Sequence, residues 1–189
     1  MKTTIEFVVI GGSAGSLQVI LKIISFINQD FSVPILLVLH RNMQSDSTLE
    51  ELLSAKTNLV VKEVEEKDII KARHLYFCPP NYHVLLEKDG SFSLDDSERV
   101  HHSRPSIDVV FSSAAEVYGK KLLCILLSGA NADGAEGIHY AKDRGCTTVI
   151  QDISEAEVSY MPEQALKLGE VDYQLTAVEI AGLLNSLEL

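Results

Sequence analysis

The sequence predicts an α/β fold: one doubly wound, mainly parallel sheet with helices on both faces and a small antiparallel hairpin at one edge. Short apolar runs alternate with segments whose apolar residues recur every three to four positions, which is the pattern of a parallel sheet covered by helices. No linker or change of composition divides the 189 residues. One domain over residues 1–189 is therefore expected, because a single core organises about 100–200 residues.

The N-terminal part of the chain shows the clearest alternation. Residues 7–10 form an apolar strand, and apolar residues at helical spacing predict an amphipathic helix over 16–28. Pro34 begins a second strand at 35–39, which completes a β-α-β unit. The next predicted elements are a polar helix and a strand, at 45–55 and 60–64.

The middle of the chain predicts the antiparallel hairpin. Three short extended pieces lie around the turn signal Lys88-Asp89-Gly90, at 74–78, 84–87 and 92–94. A helix then begins near Arg104, with Pro105 in its first turn and Asp108 at the positive end of its dipole. The remaining predicted elements are strands at 122–127 and 147–150 and helices at 134–144, 162–168 and 178–187.

Composition and charge exclude several classes of protein. The chain has 16 basic and 27 acidic side chains and a net charge of −11, which disfavours nucleic-acid binding. No apolar run approaches the roughly 20 residues that cross a bilayer, and the N-terminus lacks the features of a signal peptide, so no membrane insertion is expected. Three cysteines without a Cys-x-x-Cys pair indicate reduced thiols in a cytoplasmic protein. The histidines and cysteines form no ligand cluster, so neither a metal nor a cofactor is expected.

The loop at residues 11–16, with the sequence GGSAGS, joins the first strand to the first helix. It lacks the glycine spacing of a dinucleotide-binding loop and the lysine of a phosphate-binding loop. It fits the pattern G-x-S-x-G, in which flanking glycines permit a tight turn that lifts the serine hydroxyl above the edge of the sheet. Ser13 is therefore a candidate nucleophile. The alternative is a glycine-rich turn in which Ser13 caps the helix or holds an anion.

Two further candidates also follow buried strands. His40 ends the second strand and Asp133 follows the strand at 122–127, and reactive groups in parallel sheets gather at the carboxyl ends of strands. A nucleophilic serine needs a base, and the base needs a group that orients it, which are the roles predicted for His40 and Asp133. The alternatives are a histidine bonded to backbone at a strand end and an aspartate that caps the following helix.

At these residues the chain resembles the catalytic domain of the chemotaxis receptor methylesterase family, CheB. That family typically carries Gly-Ala-Ser-Thr-Gly-Gly at the nucleophile, Gln-His-Met at the base and Thr-Gly-Met-Gly-x-Asp-Gly at the orienting aspartate. The corresponding segments here are 11–16, 39–43 and 128–134, and the similarity extends to 78–83, 104–108 and 161–162. The motifs occur in the family's order over essentially residues 6–185.

The resemblance implies hydrolysis of γ-glutamyl methyl esters on chemoreceptors with release of methanol, and often deamidation of receptor glutamines. It makes Ser13 the nucleophile, His40 the general base and acid, and Asp133 the group that orients His40. The residues expected around the oxyanion and the substrate cleft are Gly12, Ala14 and Ala130. The implied partner is a methylated chemoreceptor or a similar acidic helical protein, and no cofactor is implied.

The chain departs from the family's pattern at three of these positions. Ala14 stands where a threonine is usual, Ala130 where a methionine is usual, and Asn131 where a glycine is usual, which puts the rate and the substrate in question. Family members also usually carry an N-terminal receiver domain that covers the site until it is phosphorylated. Nothing precedes Met1 here, so control by that route is not expected from this chain.

Two alternative functions are left open by the sequence: a hydrolase of another small ester or amide, and a binding module without turnover. The net charge of −11 bears on this choice, because receptor methylation segments are expected to be rich in glutamate. Either basic residues near the site, with Arg41 and Arg104 as candidates, make the local field positive, or the substrate is a different one.

Overall fold

The computed structural model describes residues 4–40 and 46–188 of the chain. The strands are β1 (Phe7–Gly12), β2 (Ile35–Leu39), β3 (Val60–Glu63), β4 (His74–Phe77), β5 (His83–Leu86), β6 (Phe92–Asp95), β7 (Leu122–Leu126), β8 (Thr147–Gln151) and β9 (Tyr173–Leu175). The helices are α1 (Ser16–Ser25), α2 (Asp46–Ser54), α3 (Ile107–Tyr118), α4 (Ala135–Asp143), α5 (Tyr160–Leu168) and α6 (Ala177–Asn185). No helix in these ranges has the length and apolar character needed to span a membrane.

The main sheet has seven parallel strands in the order β3-β4-β2-β1-β7-β8-β9. The strand order reverses at β1, with β2 on one side and β7 on the other, and β4 lies between β2 and the edge strand β3. The predicted doubly wound parallel sheet is confirmed. Such a reversal opens a crevice at the carboxyl ends of the strands, where α/β proteins bind ligands.

The residues of β1 alternate between two hydrophobic cores, one on each face of the sheet. Phe7 and Val9 belong to the core under α3, α4 and α5, whereas Val8 and Ile10 belong to the core under α1, α2 and α6. This alternation follows from the two-residue period of a strand. It explains the continuous apolar run, because a strand covered by helices on both sides has no solvent face.

The antiparallel hairpin is formed by β5 and β6, with His83 opposite Asp95. It lies at the β3 side of the main sheet, where Phe92 in β6 donates a backbone hydrogen bond to the carbonyl oxygen of Asp68 (2.9 Å). The aromatic rings of Phe92 and Phe7, in β1, have their centroids 6.4 Å apart. The predicted small hairpin at one edge is therefore present, as a separate two-stranded sheet.

One strand was assigned wrongly from the sequence. The piece around residues 74–78 was predicted as part of the antiparallel patch, but β4 lies in the main sheet, parallel to both β3 and β2. Its side chains are buried on both faces, with Leu75 in one core and Tyr76 in the other. Four residues are too few for a periodicity to show this, and only the pairing with β2 reveals it. The edge strand β9 was not predicted at all.

Candidate active site

The turn between β1 and α1 holds the backbone of Ser13 from two sides. The Ser13 N–H donates to the carbonyl oxygen of Ser128 (2.9 Å), and the Ser13 carbonyl accepts from the Ser16 hydroxyl (2.6 Å). Gly15 has a left-handed conformation (φ +79°) that favours glycine. Gly15 is also the N-cap of α1, which has no side-chain cap, so the alternative in which Ser13 caps this helix is wrong.

His40 lies beside this turn because β1 and β2 are paired in register. Gly12 is opposite Leu39, and the His40 N–H donates to the Gly12 carbonyl oxygen (3.3 Å). Ser13 and His40 are thus the residues that follow two adjacent strands. The imidazole Nε2 of His40 is 2.7 Å from Oδ2 of Asp133, so Nδ1 is the nitrogen left for another partner. Among the described residues, no hydrogen bond joins the Ser13 hydroxyl to His40.

Asp133 is fully buried and accepts several hydrogen bonds from the start of α3. The Ser106 hydroxyl (2.8 Å) and the Asp108 N–H (3.0 Å) donate to Oδ1, and the Ile107 N–H (2.7 Å) donates to Oδ2, which His40 also contacts. Burial raises the pKa of Asp133, but the bonds from His40 and from the start of α3 outweigh it and lower the pKa below its ordinary value. Asp133 is therefore an ionised carboxylate at the N-terminus of a helix.

Asp133 does not cap the helix that follows it in sequence. The N-cap of α4 is Gly134, at φ +94°, with no side-chain cap, so that alternative for Asp133 is wrong. The start of α3 also differs from the prediction, because its N-cap is Ser106 and Pro105 precedes the helix. A serine before an apolar helical period is an N-cap signal, and it was the available clue to Ser106.

Asp108 is a second buried carboxyl group next to Asp133. Its Oδ1 accepts from the Gly137 N–H (2.6 Å), and its Oδ2 lies 3.3 Å from Nε2 of His101. Burial and the charge of Asp133 raise the pKa of Asp108 to about 7, against the opposing effects of the Gly137 N–H and of His101. Two adjacent carboxyl groups with pKa values shifted in opposite directions indicate that Asp133 carries the negative charge.

The three residues expected around an oxyanion occupy different positions. Ala14 and Ala130 are exposed, and the backbone N–H of neither donates to any described residue. Gly12 is buried below the turn, and an added Cβ would lie 2.5 Å from Cβ of Ser16. Ala14, directly after Ser13, and Ala130, two residues after Ser128, are thus exposed residues whose backbone donors have no partner among the described residues, whereas Gly12 permits the close approach of the turn to α1.

Arg104 and the three cysteines are the remaining residues that the sequence analysis named. The Arg104 guanidinium is bound to the carbonyl oxygens of Asp96 (2.5 Å) and Ser97 (2.6 Å), and Arg41 lies outside the described residues. Cys78, Cys124 and Cys146 are all buried, and none forms a disulfide within the described part of the chain.

The fold and these contacts define an α/β protein with a serine, a histidine and a buried, ionised aspartate at the carboxyl ends of three adjacent strands, the residue types that serine hydrolases use. The family model for CheB methylesterase matches residues 8–184, and the chain belongs to this family. This confirms the resemblance found in the sequence.

Relatives of the chain include a putative protein-glutamate methylesterase/protein-glutamine glutaminase of Leptospira interrogans, 43% identical over 97% of this chain and 95% of that protein. A protein-glutamate methylesterase/protein-glutamine glutaminase of Thermotoga maritima is 31% identical over 93% of this chain, which spans 52% of that relative. The crystal structure of the Thermotoga maritima CheB methylesterase catalytic domain has a TM-score of 0.92 at 31% identity and covers 97% of this chain and 99% of that domain.

Proposed function

We propose that this chain is a serine-dependent protein-glutamate methylesterase that hydrolyses γ-glutamyl methyl esters on chemoreceptor-like proteins and also deamidates glutamines. The observation that carries the proposal is the contact of ionised Asp133 with His40, directly beside the Ser13 turn. Membership of the CheB family and the names of its relatives support the reaction. One catalytic domain over residues 1–189, without cofactor or metal, is part of the proposal.

Each of the three side chains has a defined role in this mechanism. The Ser13 hydroxyl attacks the ester carbonyl while Nδ1 of His40 takes its proton, and Asp133 stabilises the imidazolium through Nε2. His40 then returns the proton to the leaving methoxide, which departs as methanol and leaves a glutamyl ester on Ser13. Water activated by His40 hydrolyses this ester. With a glutamine substrate, the group that leaves is ammonia.

The charge that develops on the substrate oxygen needs donors that are not already bonded. The exposed N–H groups of Ala14 and Ala130 meet this requirement, and we assign them to the oxyanion. Because backbone groups supply the contact, the alanines at these positions preserve it. The side chains usual in the family are absent, so the hydroxyl contact of the threonine is lost at Ala14 and the packing against the substrate differs at Ala130.

The substrate and the location follow from the same proposal. The partner is a methylated, acidic helical segment of a chemoreceptor, and buried cysteines without a disulfide support a reducing, cytoplasmic environment.

The test is methanol release from a methylated receptor segment by the wild type and by Ser13→Ala. Loss of a triad serine is expected to lower the rate by roughly 10⁴-fold. Ser25→Ala is the matched control, because among the described residues the Ser25 hydroxyl bonds to the Lys22 carbonyl within α1 (2.8 Å) and to no residue of the site. Equal rates for Ser13→Ala and the wild type would exclude the mechanism. Turnover of simple methyl esters but not of the receptor segment would instead identify a hydrolase of another ester.

A further inference from the structure

We propose that Ser106, held in place by the buried His83, is a positioning residue for the triad carboxylate. This inference rests on the proposed function, since it assigns these two residues to the orientation of Asp133 in that reaction. Neither residue was among the site candidates from the sequence. Both belong to segments that contact the site only in the folded chain.

Ser106 makes two contacts that connect the hairpin region to Asp133. Its hydroxyl donates to Oδ1 of Asp133 (2.8 Å), and its backbone N–H donates to Nδ1 of His83 (3.1 Å). Ser106 is fully buried, so no water competes for either bond. The hydroxyl is a side-chain donor to Asp133 at the N-cap of α3, whereas Ile107 and Asp108 donate backbone N–H groups whose positions the helix fixes.

The contacts of His83 define its protonation state. Nδ1 must be an acceptor, because the Ser106 N–H points at it, and Nε2 must carry the proton, because it lies 3.0 Å from the carbonyl oxygen of Glu98. His83 is therefore neutral with its proton on Nε2. Only 1% of its surface is exposed, and both ring nitrogens are used to hold backbone, which is a positioning role.

The titratable groups around this network set the direction of the expected effect. Two titratable side chains lie next to Asp133: His40 at the end of β2 and Asp108 in α3. His101 contacts the exposed side of Asp108. In the hairpin, Asp95 lies opposite His83. The Ser106 hydroxyl is one of the groups that lower the pKa of Asp133, so removing it raises that pKa. The carboxylate is then lost at a higher pH, and the loss of activity on acidification moves to higher pH with it.

The primary variant is Ser106→Ala. We expect kcat to fall by about ten-fold or more, because a hydrogen bond to a charged group is lost, with KM unchanged, because Ser106 does not touch the substrate. The acid limb of the pH–rate profile should move to higher pH. Ser106→Thr keeps the hydroxyl and should recover both properties.

Ser113→Ala is the matched control on the same helix. The Ser113 hydroxyl accepts from the Leu86 N–H (2.8 Å) and does not contact Asp133, so this variant should keep the kcat and the pH profile of the wild type. Thermal melting of each variant distinguishes the loss of the fold from a displacement of Asp133 in a folded protein. An unchanged kcat and acid limb in folded Ser106→Ala, or an equal shift in Ser113→Ala, would overturn the proposal.

His83 provides a second and independent pair of variants. His83→Asn offers a carbonyl oxygen near the position of Nδ1, whereas His83→Leu offers no acceptor, so Asn should retain more activity than Leu. If His83 acts through Ser106, the double variant with Ser106→Ala should be no slower than the slower single variant. Additive losses would contradict the inference. If Ser106→Ala does not fold, the two single His83 variants decide it, and equal activity of His83→Asn and His83→Leu would overturn the inference.

The NMR signal of the proton in the hydrogen bond between Nε2 of His40 and Asp133 tests the inference without turnover. This signal should shift in Ser106→Ala relative to the wild type and to Ser113→Ala. Absence of methanol release by the wild type would remove the proposed function yet leave this measurement valid. An unshifted signal in an active enzyme would remove the positioning role alone.

Discussion

Asp133 is the residue on which the geometry of the site depends, because one buried carboxylate receives donors from His40 and from the first turn of α3. These contacts keep it ionised and fix its orientation at once. A neutral side chain of the same shape satisfies neither requirement.

Asp133→Asn should therefore lower kcat by roughly 10⁴-fold, as expected for a triad whose orienting carboxylate is replaced by an amide. The amide NH₂ would also face donors from α3, so the melting temperature should fall as well. Asp89→Asn, in the exposed hairpin turn, is the control for a lost carboxylate charge. Measurable kcat near the wild-type value would show that His40 does not need Asp133.

Asp108 predicts a pH dependence of stability. Its pKa in the folded chain is raised from an ordinary value of 3.8 to about 7, so folding is favoured by the proton it holds. This contribution is present in full below the unfolded pKa and is lost as the pH rises through about 7. Asp108→Asn cannot lose that proton, and its melting temperature relative to the wild type should increase from pH 4 to pH 8. A difference that does not change with pH would contradict the assignment.

The catalytic candidates and the residues that position them differ in how far the sequence reveals them. Ser13, His40 and Asp133 each follow an apolar run, so strand ends alone suggested a common edge. Ser106 and His83 follow no such rule, because His83 faces Ser106 only when the hairpin packs on α3. The hydrogen bond between Ser106 and Asp133 is likewise a tertiary contact, and the local spacing of residues in the sequence does not predict it.

At the scale of elements, the crossing of α3 and α4 is set by a glycine. An added Cβ at Gly137 would lie 2.7 Å from Cα of Asp108, which is backbone and cannot move aside. In contrast, among the described residues no atom outside the nearby backbone of α6 lies within 4 Å of the corresponding position at Gly182. The two glycines thus have the same low helix propensity but differ in the space around them.

Substitution of these glycines by alanine should have opposite effects. Gly182→Ala should raise the free energy of unfolding by up to about 1 kcal/mol, because alanine is the better helix former. Gly137→Ala should lower it by about 1–3 kcal/mol, because the helices must separate. Urea denaturation of both variants measures the pair. Equal stabilisation by both would show that the α3–α4 contact is looser than the structure indicates.

Elements with many apolar residues were predictable and short ones were not. The strand β1 was recognisable from its continuous apolar run, and the helix α3 because its apolar residues recur at helical spacing. The assignment of β4 required its neighbours, and β9 is a half-exposed edge strand of three residues whose sequence carries no period.

At the scale of the whole molecule, the net charge of −11 opposes the binding of an acidic substrate. Of the two candidates for a local positive field, Arg104 belongs to the described residues and Arg41 lies outside them. The guanidinium of Arg104 is bound to two carbonyl oxygens, and Glu157 adds a carboxylate beside the Ser13 turn, where an added Cβ on Gly15 would lie 2.9 Å from its Cβ.

Salt should therefore raise kcat/KM for a glutamate-rich methylated peptide. The Debye length shrinks from about 30 Å at roughly 0.01 M to about 8 Å at roughly 0.15 M salt, which screens the repulsion between enzyme and peptide. A small uncharged methyl ester is the control, and its kcat/KM should hardly change. A decrease with salt for the peptide would reveal a positive surface around the site.

The position of β1 between β2 and β7 also fixes when the enzyme becomes competent during its own synthesis. A ribosome that has made the first two strands has already produced Ser13 and His40, but β7 and the carboxylate that follows it are still untranslated. In the proposed mechanism, hydrolysis thus begins only after the nascent polypeptide has returned to the middle of its sheet. Premature activity is prevented by the order in which the strands are made.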